Sequence, residues 1–391
     1  MGDLNGDGRS DVVTVNYDET ISVFMTKPGG TLGARTDYLV AGGPAGAAIA
    51  DLNGDGHADV AVADGDGFVT VLLNSGDGTL GPRRDYRSAP GGPISIAAAD
   101  LDGDGSPDLV TTNSGAVSVF RNNGDGTFAP ETNYAAEGNR ISVAVGDLNG
   151  DGKPDVVTSG VSVLLNNGDG SLRAGGAYDA GGAVSIALGD LNGDGKPDVA
   201  TATGDAGVSV LLNRGDGTLL GKRLYRVLAT PDSSVGGPQS IAVADLNGDH
   251  RPDLATANFD RHVSLLLNGG GATFRTTIDI GAIECGDVYE SDRALALGDL
   301  NGDGRVDLAV AAENGLCVTL AKPGRCNVQE VRSLKVREAR ALLSRAYCRV
   351  GAIRYAHSLF FNRGRVSAEQ PGFGALRAGA KVNLVVSLGR R

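Results

Sequence analysis

The residues best suited to chemistry are aspartates at fixed intervals. A nine-residue pattern, D-L-N-G-D-G-x-x-D with small variations, starts at Asp3, Asp51, Asp100, Asp147, Asp190, Asp245 and Asp299. Its side-chain oxygens lie at positions 1, 3, 5 and 9. They belong to Asp3, Asn5, Asp7 and Asp11 in the first copy and to Asp51, Asn53, Asp55 and Asp59 in the second. The third has Asp100, Asp102, Asp104 and Asp108, and the fourth Asp147, Asn149, Asp151 and Asp155. The fifth has Asp190, Asn192, Asp194 and Asp198, the sixth Asp245, Asn247, Asp249 and Asp253, and the seventh Asp299, Asn301, Asp303 and Asp307. Carboxylates brought together when such a loop curls raise one another's pKa and oppose folding. A hard divalent cation removes the conflict, and Ca²⁺ takes about 6–8 oxygen ligands at about 2.3–2.6 Å. The backbone carbonyl at position 7, from Arg9, His57, Ser106, Lys153, Lys196, Arg251 or Arg305, is the expected fifth protein ligand. All-oxygen donors argue against Zn²⁺, and Mg²⁺ demands a stricter octahedron with more water. Up to seven structural Ca²⁺ are therefore expected.

D-L-N-G-D-G is also good turn sequence, but seven copies with Asp at positions 1, 5 and 9 favour the metal reading. An EF-hand is excluded, because it needs Glu at position 12. Here that position is Thr14, Val62, Thr111, Thr158, Thr201, Thr256 or Val310, and the flanks read as strands. Two copies depart from the pattern. Asp102 replaces Asn, giving four carboxylates and a site at least as tight. His250 replaces the Gly that serves a positive-φ turn, a conformation costly for other residues, so the sixth site is expected to be the weakest.

The elements that carry these loops repeat with them. The copies are separated by 48, 49, 47, 43, 55 and 54 residues, a period close to that of propeller blades. In the third repeat, 94–99 leads into the loop as a strand, 108–112 leaves it, and 117–120 follows with period-2 alternation. Asn123-Gly124-Asp125-Gly126 supplies hairpin chemistry, and 127–134 makes a fourth strand. The same N-x-G-D-G-T/S turn recurs from Asn74, Asn166 and Asn213, and in degenerate form from Asn268. Four short antiparallel strands repeated seven times predict an all-β, seven-bladed β-propeller. Small residues in each first strand suit crowding around an axis. Met1-Gly2 leaves no room for a strand before the first loop, and no clear fourth strand follows 316–320. The first and last repeats are thus expected to be incomplete, and the start truncated.

Composition agrees. Of 391 residues 61 are Gly, no Trp is present and aromatics make up 5%, against a coiled coil, a helical bundle or a Trp-signature propeller. No run of about 18 apolar residues exists, so no membrane span is expected. Residues 330–391 carry 13 basic and 3 acidic residues, a net of +10, which leaves 22 basic and 44 acidic, a net of -22, in the first 329. An acidic body argues against nucleic acid as a partner. The four cysteines, Cys285, Cys317, Cys326 and Cys348, form no CxxC pair. They fit two disulfides in an oxidising compartment; four buried free thiols are the alternative.

The D-x-N-G-D-G-x-x-D loop, the strand Val71-Leu72-Leu73-Asn74 (again Val163-Leu164-Leu165-Asn166) and G-D-G-T-F/L resemble the FG-GAP/VCBS repeat family, which includes the integrin α N-terminal propeller. The resemblance covers residues 1–325. It implies a seven-bladed propeller, calcium in the hairpin loops, an extracellular setting, and binding or adhesion rather than catalysis. Residues 326–391 read as a separate α+β unit of β-α-β-β order. A helix is expected over 334–347, with strands around 350–355, 364–368 and 382–387. Cys348-Arg349-Val350-Gly351 and Gly379-Ala380-Lys381-Val382-Asn383-Leu384 resemble a PASTA domain of the actinobacterial secreted type. That resemblance implies pairing of Cys326 with Cys348, leaving Cys285 with Cys317, and an association with cell-wall or other anionic polymer.

No catalytic constellation is legible. His57, His250, His262 and His357 form no nucleophile motif with Ser or Cys, and the carboxylates are committed to the loops. The expectation is a non-enzymatic, extracellular calcium-binding propeller with a protein or glycan ligand on one face. The longest connections, 229–238 and 282–293, are the candidate rim. The alternative is an accessory, substrate-binding region of a secreted hydrolase or lyase.

Overall fold

In a computed structural model the chain forms two compact units, Met1–Leu320 and Ala321–Arg391. The structure describes residues 1–321 other than 17, 89–90, 114–115, 138–141, 205–206, 228–236, 260–261, 283–293 and 313–314. It describes the backbone alone at 275–282, 312, 315, 325–328, 349–356, 366–370, 374–377 and 381–387. The expected tail helix, all but the ends of the candidate rim connections (229–236 and 283–293), Cys285 and Cys348 lie outside the described residues. Among those that are described, no helix is long and apolar enough to cross a membrane.

The first unit is a seven-bladed β-propeller of antiparallel sheets. Inner strands are Pro44–Ala50, Ser95–Ala99, Val143–Gly146, Ser185–Gly189, Pro238–Ala244 and Ala294–Gly298, in blades 2 to 7. Second strands, leaving the acidic loops, are Val12–Val15, Asp59–Asp64, Asp108–Thr112, Asp155–Thr158, Asp198–Ala202, Asp253–Asn258 and Asp307–Ala312, in blades 1 to 7. Third strands are Thr20–Lys27, Phe68–Leu72, Ala116–Phe120, Ser162–Asn166, Val208–Leu211, His262–Asn268 and Gly315–Thr319. Outer strands are Thr31–Leu39, Arg84–Arg87, Thr132–Ala135, Leu172–Ala177, Arg223–Tyr225 and Phe274–Ala282, in blades 1 to 6. Among the described residues, blades 1 and 7 are three-stranded: the sheet of blade 1 comprises its second, third and outer strands, and that of blade 7 its inner, second and third strands.

One expected boundary moves. The fourth strand of blade 3 begins at Thr132, not at 127. Asn122 and Phe128 close the turn with a single bridge. Phe128 then tucks into the cluster shared by blades 2 and 3, and Pro130 cannot donate to a ladder, so pairing resumes only beyond it.

The core lies between blades. Leu148, Val157 and Val163 of blade 4 pack with Ile186, Val199 and Leu211 of blade 5, and equivalent clusters join blades 1 and 2, 2 and 3, 3 and 4, 5 and 6, and 6 and 7. The second strands of blades 2 to 6 are covered on both faces, which explains their continuous apolar runs; all six residues of Asp59–Asp64 are buried. Inner strands sit side by side around the axis, blade after blade from Pro44–Ala50 to Ala294–Gly298. Serines lace several of them together. Ser95, Ser185 and Ser240 Oγ accept the N–H groups of Val143, Ile241 and Leu295 in the following blade at 3.2–3.3 Å. Blade 7 meets blade 1 where Ser10 N–H donates to the Asp299 carbonyl at 2.7 Å.

In the second unit, Arg325–Val328 pairs antiparallel with Gly374–Arg377. Arg349–Ala356 runs parallel to Lys381–Ser387, which also pairs antiparallel with Val366–Gln370. Three of these strands lie where the sequence expects them; Arg325–Val328 and Gly374–Arg377 are additional.

Candidate metal centres

In blades 2 to 7 each acidic loop joins an inner strand to a second strand, and the loop of blade 1 leads into its second strand in the same way, so all seven open on one face of the propeller. Their internal geometry is shared. In every loop the position-1 aspartate accepts the N–H of position 4 on Oδ1 at 2.7–2.8 Å and that of position 6 on Oδ2 at 2.7–2.9 Å. The position-5 aspartate accepts the N–H of position 7, for example Lys153 to Asp151 at 3.0 Å and Ser106 to Asp104 at 2.7 Å. These short bonds fold Arg9, His57, Ser106, Lys153, Lys196, Arg251 and Arg305 back over their own loops. Positions 4 and 6 must both turn through positive φ. Gly150 and Gly152 do so at 77° and 81°, and His250 at 63°. The sequence singled out position 6 but not position 4.

The position-9 aspartate is held differently. Asp11, Asp59, Asp108, Asp155, Asp198, Asp253 and Asp307 are buried at the head of the second strand. Oδ2 accepts the N–H of the position-2 leucine in all seven loops, at 2.9–3.1 Å. In blades 1 to 6, Oδ1 accepts a backbone N–H from the end of the third strand, Thr26, Asn74, Asn122, Asn166, Asn213 or Asn268, at 2.7–2.8 Å. The ion-ligand candidate thus also anchors the fold. In blades 1 to 6, burial drives the position-9 carboxyl above its ordinary range against the two amides that oppose it. Asp108, Asp198 and Asp253 are pushed up to about 6, with neighbouring loop aspartates adding to the rise. Asp11, Asp59 and Asp155 move in the same direction for the same reasons.

Do the residues fit a cation? In the third loop the carboxylate oxygens of Asp100, Asp102 and Asp108 lie within 4.8 Å of one another. Among the described residues this is the one such trio of acidic, His or Cys side chains. The other loops have Asn in place of Asp102 but repeat the same bonds. Hard oxygen donors, a shared cradle and buried carboxylates raised by burial and by one another suit a hard divalent ion. The sixth loop deviates. Asn247 Nδ2 donates to Asp253 Oδ2 at 2.9 Å, so an amide proton stands against the carboxylate that should face an ion. In the first loop the Arg9 guanidinium sits on Asp7 as a built-in counter-charge.

The asparagines that end the third strands are functional residues the ligand pattern did not disclose. Asn74, Asn122, Asn166, Asn213 and Asn268 donate Nδ2–H to the position-2 leucine carbonyl of the preceding blade, Leu4, Leu52, Leu101, Leu148 and Leu191, at 2.6–2.9 Å. They also donate to the position-8 carbonyl of their own loop at 2.8–3.1 Å. Their Oδ1 accepts a turn glycine N–H, as Gly168 to Asn166 at 2.8 Å. A chain of aspartate, leucine and asparagine thereby links each loop to the next from blade 1 to blade 6. In blade 1 the position is Thr26, whose hydroxyl returns to its own Ser10 carbonyl at 2.8 Å. In blade 7 the strand register places Ala321 there. The recurrence of Asn in Leu-Leu-Asn was the available signal.

A family model described as FG-GAP-like repeat matches residues 3–62, 51–111, 100–158, 157–201, 190–256 and 245–310. No curated protein sequence matches the chain. Among solved structures, the BP39L lectin from Burkholderia pseudomallei superposes with a TM-score of 0.58 at 17% identity, covering 81% of this chain and 95% of that one. A lectin from Agrocybe aegerita, whose structure concerns specific recognition of non-reducing terminal N-acetylglucosamine, gives 0.51 at 22% identity, covering 80% and 84%. BBS1N in complex with ARL6DN gives 0.51 at 14% identity, covering 81% and 88%. At such identities these structures share the fold.

Proposed function

The chain belongs to the FG-GAP-like repeat family, and from that premise we propose that it is a calcium-stabilised binding propeller that takes a glycan or protein ligand outside the cell. The observation that carries this reading is the repetition of one acidic cradle seven times on one face, with the buried position-9 carboxylate built into it each time. Positions 1, 3, 5 and 9, with the position-7 carbonyl, would hold the ion. Calcium, when bound, supplies the counter-charge that the -22 of residues 1–329 lacks. At calcium about 100-fold above Kd, each site adds about 2.7 kcal/mol to folding stability. The metals are structural on this reading, and the molecule acts by binding rather than catalysis. Propellers of similar fold include two lectins and one protein-complex subunit, which supports a glycan or protein ligand. The basic tail, +10 over 330–391, is read as a PASTA-like module for anionic wall polymer.

The test is an array of glycans, cell-wall fragments and surface proteins probed with the full chain in calcium and in chelator. Calcium-dependent, saturable binding to one ligand class is expected. Binding to none, with the fold intact, overturns the reading.

A further inference from the structure

The end of the propeller opposite the acidic loops carries a second repeated arrangement. Five residues after the position-9 aspartate, where the second strand runs out, blades 1, 3 and 6 have Asn16, Asn113 and Asn258. Each donates Nδ2–H to a serine hydroxyl on the third strand, Ser22, Ser118 or Ser264, at 2.8–2.9 Å. In blades 1 and 3 that hydroxyl donates in turn to Asp37 or Asn133 on the outer strand. Blade 2 keeps the rungs and changes the donor. Thr70 faces Asp85 across the ladder, and its hydroxyl donates to Asp85 Oδ1 at 2.9 Å. The residue in the asparagine's place is Asp64. A carboxylate accepts hydrogen bonds and cannot donate them. Asp64 is at 0% exposure, and its Oδ2 is buried with no hydrogen-bond partner.

The surroundings add negative charge and little to offset it. Asp64 Oδ1 accepts the Asp66 N–H at 3.3 Å. A Cβ on Gly42 would stand 2.6 Å from Asp64 Oδ1 and 2.5 Å from Asp66 Oδ2, so glycine at 42 leaves clear the space those oxygens share. The two oxygens therefore lie within about 5 Å of each other, a span that one Ca²⁺ bridges with bonds of about 2.3–2.6 Å. Asp85 lies beyond Thr70, its Oδ2 held by Arg83 Nε at 3.3 Å. Among the described ion pairs none reaches Asp64 or Asp66. Burial lifts the Asp64 carboxyl above its ordinary range, and the charges of Asp66 and Asp85 add to the rise. A buried charge without a partner is costly, so a positive pole belongs beside Asp64. Asp66 is exposed and marks the side from which an ion enters.

We propose that Asp64 and Asp66 form a site for one hard divalent cation on the face opposite the acidic loops, the ion supplying beside Asp64 the positive pole that an amide N–H supplies in blades 1, 3 and 6. The two carboxylates are its protein ligands, and water completes the shell from the Asp66 side. The length of Asp59–Asp64, about 16 Å at the rise of a strand, separates it from the acidic loop of its own blade. The inference does not depend on what the acidic loops bind.

The test compares the full chain with its Asp64→Asn and Asp66→Asn variants, using Ca²⁺ as the probe. Native mass spectrometry counts bound ions at the lowest calcium that saturates the wild type. Calorimetry reads the melting midpoint in chelator and in that calcium. Each variant should carry one ion fewer than the wild type, a difference that reads the same whether the loops hold seven ions or none. Asp64→Asn restores the amide donor of blades 1, 3 and 6, so it should melt above the wild type in chelator and lose that advantage in calcium. Asp66→Asn, at an exposed side chain, should leave the chelator midpoint unchanged and lower the calcium one. Equal ion counts in all three chains would overturn the proposal. So would an Asp64→Asn gain of the same size in chelator and in calcium, which would show a proton on Asp64 in place of an ion. Should Asp64→Asn fail to fold, the ion count of Asp66→Asn decides alone.

Discussion

At the scale of single residues, the position-9 carboxylate serves the fold and the cradle at once, and substitution separates the two. Asp155→Asn leaves one of the Leu148 and Asn166 N–H groups facing an amide that cannot accept both bonds well. A buried donor without a partner costs about 1–3 kcal/mol, so the loss should appear in urea unfolding with chelator as well as with calcium. Asp151→Asn, on the exposed arc of the same loop, should lower stability only when calcium is present. Protons give a second handle. Asp108, Asp198 and Asp253 hold theirs up to about pH 6 in the folded chain, and an unfolded aspartate up to only about pH 4. Between those values the folded state binds more protons, so stability falls as pH rises through 6. Calorimetry in chelator should show the midpoint dropping from pH 4.5 to 7; saturating calcium, which favours ionised carboxylates, should remove that drop.

At the scale of elements, the asparagine hook is the joint between blades. Asn166→Ala leaves the Leu101 and Pro154 carbonyls and the Gly168 N–H without its side chain, and about 3 kcal/mol of stability should go with it, measurable as a lower urea midpoint. The second strands offer the opposite experiment. The hydroxyls of Thr111 and Thr201 are buried with no hydrogen-bond partner, and blades 2 and 7 have Val62 and Val310 at that position. Thr111→Val or Thr201→Val should therefore stabilise the propeller by about 1 kcal/mol, read as a raised melting midpoint. The second and third strands were legible because burial on both faces writes continuous or alternating apolar runs, and the acidic loop was legible because its spacing repeats. The late start of the fourth strand in blade 3 was not, because Phe128 and Pro130 decide it through contacts with another blade. The hook was not legible either, because its partner carbonyl lies 65 to 77 residues away.

At the scale of the whole molecule, seven Ca²⁺ would bring +14 to a body that carries -22. Removing them should lower the melting midpoint sharply and make it more sensitive to salt, since screening then does part of what the ions did; a scan in chelator across ionic strengths reads both effects. The hooks add something that no charge count reveals, because all of them point backwards. A loop made early takes its side-chain donor from a blade made later, so a nascent chain leaving a ribosome or a secretion channel cannot finish one blade until the next has emerged. Assembly then proceeds as a zip in the order of synthesis, and a pause midway would strand the newest loop half-built while those behind it are already locked.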